Sequence, residues 1–168
     1  SHMTQLRAQI LRSPDWNNVT AIANSLETLQ QRWIEEIVDP KMPATRDRSG
    51  PRIDSEPTIN TTHNGSALKH ERSILDNANS ELQKLKLIFE RAGLIEGQEI
   101  TSSLAASITG QESALHGYMF AGDQRYQTEL STKTDQFNQY LAELNYLMVR
   151  KYDRASVLAQ VEQIESLV

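Results

Sequence analysis

Residues Glu112 to Tyr126, ESALHGYMFAGDQRY, hold a helix end and the start of its successor within one short stretch. Ile100, Leu104, Ile108, Leu115 and Met119 recur at helical spacing, so one face of a helix is apolar up to Phe120. Gly122 is the natural end of that helix, because a residue without Cβ takes the left-handed C-terminal conformation at little cost. Asp123 is placed to cap the next helix by accepting from its free backbone N–H groups. Tyr126 then falls in the first turn, close to where Tyr118 and Met119 leave the preceding helix. The stretch predicts a tight corner between two packed helices.

Working outward, the composition supports the same fold class. The chain has 168 residues, enough for one domain with a real core. Aromatics are only 6%, and three of the five prolines fall between residues 43 and 57. Outside that interval the chain is poor in helix breakers and rich in Leu, Gln, Glu, Ala and Ser, as a helical bundle is. The expected fold is all-α: an antiparallel four-helix bundle with a short extra N-terminal helix and a long crossover loop. Ser1-His2-Met3 reads as a tag remnant, and residues 4–168 as a single domain.

Each element has its own pattern. Thr4 to Arg12 reads as the short first helix. Ser13 and Pro14 then read as the cap and first turn of a second, with Trp16, Val19, Ala23, Leu26, Leu29, Trp33 and Ile37 on one face and Asp39-Pro40 as its end. Two tryptophans on one face suit a ligand cavity or a core, and the core reading is preferred. Residues 40–66, rich in Pro, Ser, Thr, Asn and charge, have no apolar period and read as a flexible loop. Leu68, Leu75, Ala78, Leu82, Leu85 and Phe89 form a seam interrupted only by Glu71. Ala92-Gly93 stops it, and Leu94 to Gln98 reads as a connector. Beyond the corner, Tyr126 to Val168 lacks both Gly and Pro. Its seam runs Phe137, Leu141, Leu144, Met148, then slips near Arg150 to Asp153 before Val157, Val161, Ile164 and Val168.

The corner resembles the signature of the type-three CHASE module, a helical extracellular sensor domain of bacterial histidine kinases, cyclases and chemoreceptors. That family's pattern runs roughly E-T-G-Q-R-G-Y-L-L-T-G-D-x-x-Y. Glu112, Gly117, Tyr118, two apolar residues, Gly122, Asp123 and Tyr126 match it, while Ala114, Leu115 and His116 stand where it has a small-polar-basic triplet. Related four-helix chemoreceptor sensors use similar corners. The resemblance implies an extracytoplasmic sensing domain of an inner-membrane receptor, cut from between two membrane spans, that signals by helix displacement.

Chemistry-bearing groups are few. A net charge of −5 and a pI near 5.4 argue against a nucleic-acid binder, which needs a concentrated basic face. There is no cysteine. His63, His70 and His116 lack metal-pair spacing, and no nucleophile motif or phosphate-binding glycine loop occurs. Neither catalysis, a cofactor nor a metal is expected. Candidate ligand-binding residues are therefore polar groups on or near apolar faces: Gln111 in the seam, His116, Tyr118 and Arg125 near the corner, and Arg72 if its helix packs alongside. A small-molecule ligand or a periplasmic partner protein is the expected binding partner, with a homodimer aligning paired output helices. The competing reading is a soluble helical adaptor whose exposed heptad face binds a partner helix.

Overall fold

Asp15 starts the first helix of the computed structural model, which describes residues 14–42 and 61–165. Its backbone is extended, and its carboxylate accepts from Asn18 N at 3.2 Å and from Asn18 Nδ2 at 2.7 Å. The cap is therefore two residues further on than the Ser-Pro signal predicts, because the Asp15 carboxylate accepts from the otherwise free N–H of Asn18 in the first turn. α1 runs from Trp16 to Arg32, α2 from Thr61 to Ala92, α3 from Ile95 to Ala121 and α4 from Gln124 to Glu165. No strand occurs among the described residues.

The end of α1 differs from the expected stop at Asp39-Pro40. The helix instead widens into a π-helical segment, Trp33–Val38, and closes with an α-turn, Asp39–Lys41. Proline lacks an N–H, and in an α-helix its ring would meet the carbonyl four residues back, here that of Glu36. Asp39 N bonds instead to Ile34 O, five residues back, and the chain recovers α geometry when Met42 N reaches Val38 O at 2.8 Å. Widening lets the chain pass Pro40 without a break, so Ile37 and Val38 are buried and Lys41 is carried to the bundle.

α2 begins at Thr61, so residues 61–66 of the expected loop are helical. Once a helix is nucleated by packing, adding a polar turn needs only one backbone bond per residue. The seam of α2 is Glu71, Ile74, Ala78, Leu82, Leu85 and Phe89, all buried. Leu68, expected in it, is 58% exposed, and Leu75 is only partly buried. The register is thus set by Glu71 and Ile74, one step from the sequence assignment. α2 stops at Gly93, whose φ is +65°, and the connector is only Gly93 and Leu94. Gly97, expected in the connector, lies in the first turn of α3, buried against the Phe89 ring.

α3 buries Gly97, Thr101, Ser107, Gln111 and Ala114 as well as Ile100, Leu104, Ile108 and Leu115. Small residues let its backbone come close to its neighbours, which explains why most of its core face is not strongly hydrophobic. Met119, expected on the apolar face, is exposed, and Phe120 is 96% exposed. α4 buries Leu130, Phe137, Leu141, Leu144, Leu147 and Met148 and stays α-helical through the 150–153 slip. The helices pack in a ring, α1 on α2, α2 on α3, α3 on α4 and α4 on α1, with the π segment against α2. This order sets α1 diagonal to α3. The expected Thr4 to Arg12 helix and residues 43–60 of the loop lie outside the described residues, as do the side chains of the later α4 seam.

Candidate functional site

Two polar layers cross the apolar core, and both are built from helices that meet only by folding. In the first, Gln30 of α1 and Gln111 of α3 reach across the diagonal. Gln30 Nε2 donates to Gln111 Oε1 at 2.7 Å, and Gln111 Nε2 donates back to Gln30 Oε1 at 3.3 Å. Thr134 Oγ1 of α4 donates to Gln111 Oε1 at 3.5 Å. Gln111 is 1% exposed, so these bonds satisfy an amide that would otherwise be stranded in the core.

The second layer centres on Glu71, a carboxylate only 3% exposed. Lys41 Nζ, from the turn that follows the π segment, lies 2.5 Å from its Oε2. His116 Nε2 of α3 donates to its Oε1 at 2.8 Å. Burial pushes this carboxyl toward a higher pKa. The hydrogen bonds and charges of Lys41 and His116 outweigh that push and hold it below the usual range. Beside it, Glu36 of the π segment pairs with Arg32 at 3.1 Å and with His70 of α2. Arg32 and His70 both hold the Glu36 carboxyl low. Glu71 thus joins three elements at one site, and Glu36 ties the π segment to α2 directly alongside.

The sequence-derived candidates divide sharply. Gln111 and His116 belong to these layers, one to each. Tyr118 is partly buried in the corner. Arg125 is exposed and its guanidinium pairs with Asp123 at 2.7 Å, so it closes a local turn and does not face a gap between helices. Arg72 is also exposed; the residue facing inward is its neighbour Glu71. Sequence reasoning passed over Glu71, Lys41, Gln30 and Thr134 as site members. Glu71 had a signal, since it interrupts a seam, but its partners are 30 and 45 positions away. On the outside, Ile22, Lys84, Leu87, Ile88 and Arg91 line an open groove of about 410 Å3 between α1 and α2.

The corner motif is structural. Gly122 has φ +64° and its N–H bonds to Tyr118 O at 2.7 Å. Asp123 Oδ1 accepts from Arg125 N at 2.9 Å, opening α4. The Tyr126 ring fills the space where a Cβ on Gly117 would stand. Glu112, the first residue of the motif, is partly buried on α3. Gly122→Ala should cost about 1 kcal/mol by urea denaturation, from the left-handed backbone alone, since nothing lies within 4 Å of an added Cβ. Gly122→Asn should cost less, because asparagine tolerates that conformation.

No group of three or more His, Cys, Asp or Glu able to hold a metal occurs among the described residues. No helix among them is long and apolar enough to cross a membrane. No protein-family model, no curated protein and no solved structure matches the chain.

Proposed function

We propose that this chain is the extracytoplasmic sensing domain of a bacterial transmembrane receptor, a histidine kinase or chemoreceptor, and that it signals by displacement of helices within the bundle. The observation that carries this reading is the buried Glu71 carboxylate, held by Lys41 and His116 from two other elements. A buried ion pair is a poor source of stability compared with well-packed apolar residues. It is a good way to give a bundle two arrangements, because each charge must either keep its partner or find water.

An antiparallel order of the helices fits the pairs that α3 and α4 make. Gly117 faces Tyr126, Gly110 faces Lys133 and Glu96 meets Arg150 at 2.5 Å, so one chain position rises as the other falls. In the proposed receptor, ligand or partner binding shifts this bundle and the shift passes along α4. A homodimer would align two such output helices. The role is sensing and not catalysis. The adaptor reading draws on Tyr146 and Val149, two large apolar side chains exposed on α4.

Reading the gene on both sides of this segment separates the two. An apolar stretch of about 20 residues is expected on each side, the length that crosses a bilayer. Polar helical sequence on both sides would overturn the receptor reading and leave the adaptor.

A further inference from the structure

Trp33, Gln30, Gln111, Ile74, Ile108 and Phe137 line a partly open pocket of about 10 Å3 between the helices. That is about the volume needed to hold the centre of one water molecule. Trp33 is 3% exposed, and its Nε1–H has no hydrogen-bond partner among the described residues. Native cores seldom leave such a donor unsatisfied.

The neighbouring amides supply what this donor lacks. Each glutamine carries two N–H donors and an oxygen with two lone pairs. The mutual bonds between Gln30 and Gln111 use one N–H and one lone pair of each, and Thr134 takes the second lone pair of Gln111. One lone pair on Gln30 Oε1 and one N–H on each amide remain.

We propose that this layer binds a single structural water, which accepts from Trp33 Nε1–H and from the remaining Gln111 N–H and donates to Gln30 Oε1. Three partners is the usual number for a buried water. Trp33 is the first residue of the π segment, so the water ties the point where α1 widens to the diagonal contact with α3. The inference stands whatever signal, if any, the chain conveys.

The test is water-selective nuclear magnetic resonance on the 15N-labelled chain. Its two indole N–H signals, from Trp16 and Trp33, are assigned with Trp16→Phe. The Trp33 signal is expected to resist exchange with solvent and yet to cross-relax with a long-lived water; Gln111→Leu should abolish that cross-peak while the indole stays protected. A protected Trp33 indole with no water cross-peak in the parent chain would overturn the proposal, and so would an undiminished cross-peak in Gln111→Leu. If that variant does not fold, a crystal structure of the parent decides. A solvent peak about 2.7–3.2 Å from Nε1 is expected, and its absence from a well-ordered core counts against the site.

Discussion

Lys41→Met should destabilise the protein by about 3 kcal/mol near neutral pH, measured by urea denaturation. The figure sits at the lower end of the range for removing one partner of a buried ion pair. His116 still donates to Glu71 in the variant, and its own side chain is half exposed, so water can approach that flank. What remains is a carboxylate, 3% exposed, without its ammonium partner. The double variant Lys41→Met/Glu71→Leu should recover most or all of the loss, because apolar side chains of similar size carry no desolvation cost. If Lys41→Met leaves stability unchanged, the pair contributes nothing and the carboxylate is better hydrated than its burial implies.

The same pair sets the acid response. The Glu71 carboxyl titrates lower in the folded chain than its ordinary value of about 4.3 in the unfolded chain. The unfolded state therefore binds the proton first as pH falls. The stability contributed by Glu71 is complete above the unfolded value and disappears as pH drops through the lower, folded one. In Lys41→Met the folded value rises, and this acid-side loss should shrink. A urea series between neutral pH and about pH 3 tests the difference.

The four helices that pack together and most of their core faces were legible in the sequence, because apolar spacing reports burial wherever apolar residues do the burying. Trp33 and Ile37 of the π segment and Phe137, Leu141, Leu144 and Met148 of α4 are core residues at the expected positions. Gly122 and Asp123 were legible as a corner because cap chemistry is local. The failures share one cause: the decisive interaction lay elsewhere in the chain or in backbone geometry. Glu71 looked like a break in a seam, although its place there depends on Lys41 and His116. Leu68 continued the apolar spacing but is 58% exposed on α2. Pro40 looked like a stop, because a residue pattern with a period of 3.6 contains no sign that the helix will change its own pitch. Of the polar candidates, Gln111, read in the seam because it lies in phase between Ile108 and Leu115, is 1% exposed.

Gly97→Ala should cost about 2 kcal/mol, although alanine is the better helix former by about 1 kcal/mol. An added Cβ would stand 2.5 Å from two atoms of the Phe89 ring. Relieving such an overlap in a packed core costs up to about 3 kcal/mol. The ring has little room to yield. Phe89 is fully buried, and the Trp16 ring lies 6.3 Å away, tilted at 59°. Gly97 stands eight positions after Phe89, across the two-residue turn, so their contact sets how closely α3 packs against α2. A double-mutant cycle isolates the contact. Phe89→Leu is destabilising alone because it leaves a cavity, yet it should accept Gly97→Ala at a cost at least about 1 kcal/mol lower than the parent does. An equal cost in both backgrounds would mean that the ring is not what the new methyl meets. The strain would then lie in the turn at Gly93 and Leu94, and the close approach of α2 and α3 would have to be explained by backbone geometry instead of by the packing of one glycine under one aromatic ring.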